Sequence, residues 1–463
     1  MRISGLASGL DVDSMVKELM KARKSSYDTM IKKRTQVEWQ RDDYRSISSK
    51  IVDFRNNKLS NYNLSNAINA KTSQIAGDTS AIKMNTTSST AAGIMTVNVD
   101  RVATSAREIY TVGQGSLGAT TITINGEPIT LEASASTGAD LAAAINANMS
   151  KTKATALYNA NTGELSITAT ETGKDKLIIS SGPLVPTNNP GNVEGVEARV
   201  IINGMEYIQD SNRFVVNGVD FTVKAKSTVD TTISVEKDTS KIMDTIKSFV
   251  SEYNNLLGLI NGELSEEKNR TYLPLTSDEK AALSDKEVEQ WEVKAKSGAL
   301  RGDSTLSKYV SDLRNIVTSL IGGADLGGGQ RLSVGITTAS YTEKGKLVLD
   351  EEKLLKALES NPDEVTALFS DSTTGVFRKM MDTSLTTLTD LSKIAGTSMS
   401  SSDANASFLE SSLIGDRIRD MKSKESLMLA RLNSLETTYY KQFSAMEKAI
   451  NNFNSQSSAI SKL

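Results

Sequence analysis

The amino-acid sequence predicts an α+β multidomain fold. Long N- and C-terminal helices are predicted to pair as a coiled-coil leg beside a helical-bundle domain, with antiparallel β domains inserted between the two ends. Two observations carry this prediction: apolar heptad stripes at both chain ends, and three Asn-Gly turns between alternating strands in the middle. A chain of 463 residues has room for about three domains.

The C-terminal stripe lies in residues 408–463, which are predicted to form one uninterrupted helix because neither Pro nor Gly follows Gly415. At about 1.5 Å per residue the helix is roughly 70 Å long, which favours a partner helix over a single amphipathic helix lying on its own domain. Glu425, Gln442 and Gln456 occupy core positions and weaken an isolated coiled coil. The apolar stripe comprises Ile414, Ile418, Met421, Met428, Leu432, Leu435, Tyr439, Met446, Ala449, Phe453 and Ile460.

A second stripe lies near the N-terminus, in a helix that begins near Ser14 and that Asp11 or Asp13 can cap. Polar residues such as Lys33 and Gln40 interrupt this stripe, so its first half is the weaker one. Both chain ends therefore offer long helices that need a partner. The apolar positions of the N-terminal stripe are Val16, Leu19, Met30, Val37, Tyr44, Ile47, Ile51 and Phe54.

The middle of the chain, residues 97–237, is predicted to be mostly antiparallel β structure. Asn-Gly pairs at Asn125, Asn203 and Asn217 each stand between alternating apolar strands. A type I′ turn needs positive φ at both central residues, which favours this dipeptide. An Ala-rich helix over residues 138–149 separates the first of these hairpins from two further alternating strands.

Changes between helical and strand periodicity set the predicted domain borders. The polar stretch from Leu59 to Thr96 ends the first helical region, and helical spacing returns at Ser240. The predicted domains are a terminal helical leg that is flexible in the monomer (1–40 with 420–463), a helical domain with a small hairpin (41–72 with 238–419), an inner β domain (73–117 with 195–237) and an outer β domain (118–194).

Composition excludes several classes of chemistry and of partner. The chain contains no Cys and no His, which removes disulfides, thiolate nucleophiles and the side chain most used for proton transfer at neutral pH. The net charge of −3 predicts no bulk attraction to nucleic acid or anionic membranes. Residues 1–60 hold 13 Lys and Arg against 8 Asp and Glu, which predicts mainly a solvated helix face.

Targeting signals are also missing from the sequence. No window approaches the roughly 20 apolar residues of a membrane span, and the first twenty residues lack the apolar core of a secretory signal. The protein is therefore expected either to stay in the cytoplasm or to leave the cell without a cleaved signal.

Motifs for catalysis or cofactor binding are weak. Residues 113–118 match the dinucleotide-binding glycine pattern, but a strand follows instead of a helix, so the glycines are predicted to link two β domains. Ser14 and Lys17 have the spacing of a nucleophile and its base, but they lie in an amphipathic helix. The six carboxylates in residues 278–292 are predicted to lie on solvated helix faces. We expect no catalytic residue, cofactor or metal, and disfavour a carboxylate-based hydrolase.

Four segments carry patterns that are typical of one protein family. They are GLASGLDVDSMVKELM (residues 5–20), the segment 272–306 with Pro274-Leu275-Thr276 and Trp291, the segment 345–370, and the stretch from ATTITINGEPITL through ADLAAAIN. The first three resemble the opening, middle and third signatures of the flagellar filament-capping protein family, also called hook-associated protein 2. The last resembles the flagellin insertion repeat of filament-associated proteins, which implies a flagellin-insertion-like outer β domain.

The resemblance implies a structural cap at the distal end of the bacterial flagellar filament. Such a cap promotes insertion and folding of exported flagellin and is required for filament elongation and motility. The implied partners are further copies of the chain, commonly five, flagellin, hook-filament junction proteins, and a cytoplasmic export chaperone that binds the C-terminal helix. Export through flagellar type III secretion without a cleaved signal peptide is implied as well. The alternative function is a surface adhesin that binds mucin or host glycans through the β insertion.

The two helical stripes are the predicted contact surfaces of the oligomer and the filament. Their polar core positions leave them to be completed by partners, so residues 1–40 and 420–463 are expected to be poorly ordered in the isolated monomer. The predicted contact residues are Val16, Leu19, Met30, Val37, Tyr44, Ile51, Ile418, Met421, Leu432, Leu435, Tyr439, Met446 and Phe453.

Overall fold

The protein divides into two compact units, Met1–Ile68 with Ser240–Leu463 and Asn69–Thr239. The first unit is mainly helical and the second mainly β. The predicted α+β multidomain fold, with long helices at both chain ends, is confirmed. The computed structural model describes residues 11–64, 66–132, 137–180, 184–403 and 411–460.

Local capping explains where several helices begin. The Oδ1 atom of Asp11 accepts a hydrogen bond from the Ser14 backbone N–H at 3.0 Å, so Asp11 is the cap of the first helix. In chain order the helices of the described residues are α1 (Val12–Val52), α2 (Ser60–Tyr62), α3 (Gly138–Ala147), α4 (Met149–Thr152), α5 (Thr239–Ser265), α6 (Ser277–Ala281), α7 (Asp285–Lys296), α8 (Ser304–Ile321), α9 (Glu351–Ser360), α10 (Pro362–Ser370), α11 (Val376–Ala395) and α12 (Leu413–Ile460). A π-helical turn, Asp53–Leu59, joins α1 to α2.

The core of the helical unit is built around three phenylalanines from different helices. Phe249 of α5 lies 5.1 Å from Phe377 of α11, and Phe369 of α10 lies 5.6 Å from Phe377, measured between ring centroids. All three rings are fully buried. The end of α1 packs on α11, where Ile51 and Phe54 are buried. The N-terminal helix is thereby anchored in this core.

Every strand pair with a recorded register in the described residues is antiparallel. The strands are β1 (Lys71–Ala76), β2 (Ile82–Thr87), β3 (Ile94–Arg101), β4 (Ser105–Thr111), β5 (Thr120–Ile124), β6 (Glu127–Leu131), β7 (Ala154–Asn159), β8 (Glu164–Thr172), β9 (Ile179–Ser180), β10 (Val185–Pro186), β11 (Ala198–Ile202), β12 (Met205–Gln209), β13 (Arg213–Val216), β14 (Val219–Val223), β15 (Thr231–Lys237), β16 (Ala324–Asp325), β17 (Arg331–Leu332), β18 (Ile336–Thr338) and β19 (Leu347–Leu349).

The three predicted Asn-Gly turns are confirmed by their backbone angles. Asn125, Asn203 and Asn217 each have φ of 49°, and the glycines that follow have φ of 83°, 80° and 78°. These turns connect β5 to β6, β11 to β12 and β13 to β14. Positive φ at both positions is the requirement that made the dipeptide informative.

The β unit contains two separate hydrophobic cores. The inner core lies between a five-stranded sheet, ordered β1-β15-β3-β11-β12, and a three-stranded sheet, ordered β13-β14-β2. The outer core lies among the sheets β10-β4-β8-β7 and β6-β5-β9, with Leu141 and Ile145 of α3 buried against them. Each core is aliphatic for the most part, as the low aromatic content of 5% suggests.

The border between the β cores differs from the predicted division between residues 117 and 118. β4 pairs with β8 and places Tyr110 in the outer core, so residues 105–117 lie with the outer domain. The glycines of residues 113–118 therefore join two strands of one core and do not link two domains. The carbonyl of Gly113 accepts a hydrogen bond from the Tyr158 hydroxyl at 2.8 Å. The alternation of β4 suits either sheet, so the sequence pattern alone could not place the strand.

Candidate functional site

The terminal helices α1 and α12 pack against each other in antiparallel order. Arg34 Nε lies 2.8 Å from Glu425 Oε2, and Lys422 Nζ lies 4.0 Å from Glu38 Oε1. Burial favours a lower pKa for Arg34, but its hydrogen bonds to Glu38 and Glu425 outweigh burial and raise that pKa. Glu425, which we expected to weaken the stripe, is therefore a bonded partner of α1. The predicted border between residues 40 and 41 falls inside the continuous helix α1.

The predicted contact residues of α1 differ in their burial. The interior positions Val16, Val37, Tyr44 and Ile51 are buried, and Met30 is half-buried. Leu19 departs from the pattern, with 43% of its surface exposed. The first half of the stripe, which contains this residue, is also the half that polar residues interrupt.

The predicted contact residues of α12 become more exposed toward the C-terminus. Ile418 is buried, and Met421, Leu432 and Tyr439 are half-buried. Leu435 and Met446 are exposed, and Phe453 has 70% of its surface exposed. The structure therefore brings together the beginning of α12 and α1, and it leaves the distal part of the α12 stripe open.

A second element covers α1, and sequence reasoning missed it. We call residues 266–303 the docked segment. Tyr44 donates a hydrogen bond to Asp303 at 2.6 Å, and Gln40 donates one to the Ala299 carbonyl at 3.3 Å. The docked segment therefore fixes the part of α1 that enters the helical core.

Ion pairs extend this contact along α1. Lys24 pairs with Asp278, and Lys32 Nζ lies 2.7 Å from Glu279 Oε1. The carboxylates of residues 278–292 were predicted to lie on solvated helix faces. Asp278 and Glu279 remain exposed while they pair with α1, and Glu292 pairs with Lys280 at 2.6 Å. The surplus of basic residues near the N-terminus was the sequence signal for this docking, because it complements an acidic segment.

The docked segment also closes on itself. Trp291 donates to the Leu273 carbonyl at 2.8 Å, and its ring lies 4.6 Å from that of Tyr272. Gly298 has φ of 71°, and a Cβ there would lie 2.7 Å from the Lys268 backbone, so a larger residue would push the two ends of the segment apart. The signature residues in this region thus have structural roles.

Asp43 of α1 lies near two carboxylates, Glu263 of α5 and Glu266 just beyond the end of that helix. Burial, together with the negative charges of Glu263 and Glu266, raises the pKa of Asp43 to about 6. Burial and the neighbouring Glu266 also raise the pKa of Glu263. Lys296 opposes the effect at Asp43. Asp43 is therefore expected to take up a proton at mildly acidic pH.

The described residues contain neither a candidate metal site nor a membrane-spanning helix. Within those residues, no group of three His, Cys, Asp or Glu side chains is arranged to hold a metal ion. No helix of the described chain is long and apolar enough to cross a membrane. The paired terminal helices and the docked segment together form the candidate functional site. This site provides surfaces on which other protein segments can pack.

Comparison with known proteins agrees with this organisation. The profile described as "Flagellar hook-associated protein 2 C-terminus" matches residues 195–455, and the corresponding N-terminus profile matches residues 8–106. Among curated relatives, flagellar hook-associated protein 2 of Halalkalibacterium halodurans is 26% identical, covering 98% of each chain. That of Escherichia coli K12 is 24% identical, covering 95% of this chain and 97% of the relative.

A solved structure is similar as well. The D1-D2-D3 domains of the flagellar cap protein FliD from Escherichia coli match 86% of this chain and 99% of that one, with 20% identity and a TM-score of 0.47. The C-terminal profile alone spans more than half of the sequence. The chain therefore belongs to the flagellar hook-associated protein 2 family of flagellar cap proteins.

Proposed function

We propose that this protein caps the distal end of the flagellar filament and promotes insertion and folding of exported flagellin, so that filament elongation and motility depend on it. The observation that carries the proposal is the open apolar stripe on the distal part of α12. Leu435 is 37% exposed and Phe453 is 70% exposed. Large apolar side chains repeated along a helix mark a protein contact surface.

The stripe suits a helical partner. Leu435, Met446 and Phe453 fall at heptad spacing, and the helix they belong to is 48 residues long. Knobs-into-holes packing needs such a row of apolar side chains on the partner-facing side. A filament subunit that presents helices can complete the stripe, as can hook-filament junction proteins.

Before export, the exposed apolar side chains of the same stripe need a binding partner that shields them from water. We propose a cytoplasmic chaperone that binds α12, followed by export through flagellar type III secretion without a cleaved signal peptide. At the extracellular tip of the flagellum, several copies of the chain assemble, with five as the proposed number. Filament subunits then replace the chaperone on α12.

An enzymatic role is not part of this proposal, since matched relatives are structural proteins of the flagellum. None of the comparisons supports the adhesin alternative. The function is therefore carried by packing surfaces on the helices.

The test is complementation of a strain that lacks the protein. Phe453→Asp places a charge on the open stripe and is expected to reduce swimming and filament length to near those of the uncomplemented strain. Asn452→Asp, which adds the same charge to the neighbouring exposed position, is the matched control and should restore motility. Normal filaments with Phe453→Asp would contradict the proposal. Equal secreted amounts of both variants show that export is intact.

A further inference from the structure

A cleft of about 380 Å³ lies within the helical unit, between α1, α12 and the docked segment. Four basic side chains line it, namely Lys33, Lys268, Lys296 and Arg417. Trp39 lines it as well, with its ring centroid 5.2 Å from Lys296 Nζ. We call this the basic cleft.

The charge of the basic cleft stands out in a chain with 56 acidic and 53 basic residues. No carboxylate is among the described residues that line it. Asp43 interacts with Lys296 but does not line the cleft. The four basic residues are exposed, whereas Trp39 is half-buried and offers a flat apolar wall. Such a surface suits an acidic polypeptide segment.

The same chain presents an acidic counterpart. Asp285, Glu287 and Glu289 lie in the first turns of α7, and all three are exposed. Glu287 closes a capping box with Ser284, which fixes the geometry of this turn. We call these three residues the acidic turn. The ion pairs that hold the docked segment on α1 are made by other carboxylates, those of Asp278 and Glu279.

The acidic turn cannot reach the cleft of its own chain. Lys296 is the last residue of α7, and at about 1.5 Å per residue it lies roughly 16 Å along the helix axis from Asp285 and roughly 10 Å from Glu289. A rigid helix of this length separates the two surfaces. An acidic turn in the basic cleft must therefore come from another molecule.

We propose that the basic cleft of one copy binds the acidic turn of a second copy. The inference rests on the proposed assembly of several copies at the filament tip. Each copy has one cleft and one turn, so the contact is head-to-tail, an arrangement that closes into a ring when the rotation between successive copies permits it. Exposed ion pairs are individually weak, so the contact is reversible and becomes weaker as salt increases.

Charge reversal tests the contact in the full-length chain by sedimentation velocity over a concentration series. Lys268→Glu with Arg417→Glu, the cleft-reversed variant, puts two carboxylates in the cleft and brings its side-chain charge from +4 to 0. Asp285→Lys with Glu289→Lys brings the charge of the acidic turn from −3 to +1. Each pair is expected to weaken self-association about tenfold or more. All four substitutions in one chain place two carboxylates in the cleft opposite two lysines in the turn and are expected to recover part of the association. Lys356→Glu with Lys379→Glu, on exposed faces of α9 and α11, is the matched control and should leave association unchanged.

Fluorescence gives an independent readout, because the sequence has two tryptophans and Trp39 lines the cleft. In a Trp291→Phe chain, a synthetic peptide of residues 277–290, which has no tryptophan, should change Trp39 emission. The change should be lost in the cleft-reversed variant. Inorganic phosphate at the same concentration should have no effect, and an equal response to phosphate would show a nonspecific anion site and overturn the inference.

The outcomes separate this inference from the proposed function. Undiminished self-association of both charge-reversed variants, or an unresponsive Trp39, overturns the head-to-tail contact. Filaments would still be capped in that case if the open stripe on α12 is the functional contact. Loss of motility with Phe453→Asp tests that stripe alone, since Phe453 lies far along α12 from the cleft residue Arg417.

Discussion

The helices α1 and α12 carry apolar stripes of the same period but differ in burial. Val16, Val37 and Ile51 of α1 are buried, whereas the buried apolar residues of α12 in the described chain are Ile414 and Ile418, both near its start. α1 contacts α12, α11 and the docked segment, whereas α12 contacts α1 and α11. The number of neighbours that reach a stripe, more than the stripe itself, decides whether it is buried.

The polar faces of the two helices differ in a related way. Lys24 and Lys32 of α1 pair with the docked segment, and Arg34 pairs with α12. On α12, Glu425 and Lys422 face α1 near the start of the helix. The comparison indicates that α1 is packed against the rest of the helical unit along its length, whereas the distal part of α12 is exposed.

Hydrogen exchange on the isolated monomer should show the largest difference between the helices. Amides of residues 433–460 are expected to exchange at least about 100-fold faster than those of residues 41–52, because opening the distal part of α12 exposes little additional apolar surface. Deuterium uptake followed by mass spectrometry measures both regions at once. Equal protection of residues 433–460 and 41–52 would show that the distal part of α12 is as well packed as the end of α1. The same data test the expectation that residues 1–40 and 420–463 are poorly ordered before assembly.

Truncating an apolar side chain should lower the stability of the protein much more on α1 than on the distal part of α12. Ile51→Ala on α1 is expected to lower the free energy of unfolding of the helical unit by about 2–5 kcal/mol, because Ile51 is fully buried. Phe453→Ala on α12 should change it by less than about 0.5 kcal/mol. Urea unfolding followed by tryptophan emission reports on this unit, since Trp39 and Trp291 both lie in it. A large loss of stability with Phe453→Ala would mean that the distal stripe is already packed in the monomer.

A smaller effect is expected from pH, through the buried face of α1. The pKa of Asp43 is about 6 in the folded protein, above the usual value of 3.8. The folded state therefore binds more protons than the unfolded state between about pH 6 and pH 4, so this residue makes the protein more stable as pH falls through that window. Asp43→Asn should remove this contribution and should stabilise the helical unit at pH 7.

The measurement compares urea midpoints of the wild type and Asp43→Asn at pH 7 and pH 5. Other groups that titrate are common to both proteins, so the difference between their midpoints isolates Asp43. The variant should have the higher midpoint at pH 7, and the gap should narrow at pH 5. A constant gap across the window would rule out a raised pKa of Asp43 in the folded protein.

Turns, helix caps and helices were predictable from the sequence because each depends on residues that are close together in the chain. Asn203-Gly204 needs positive φ at both residues, so it predicts a hairpin turn without knowledge of the sheet. Asp11 caps α1 by accepting a hydrogen bond from the backbone N–H of Ser14, only three residues further along the chain. Apolar spacing likewise located α5, α8 and α12. These signals depend on residues that are close in sequence, which is why the sequence contains them.

Only the tertiary structure decided which elements meet. The alternation of β4 fits either β core, and its register with β8 settles the choice. The sequence pattern does not show that Asp278 and Glu279, which remain exposed, pair with Lys24 and Lys32 at chain separations of 254 and 247. The heptad stripe by itself determined that α12 is a long helix with one apolar side. How much of that side is buried depends on neighbours distant in sequence, because burial is a property of packed surfaces and not of local spacing.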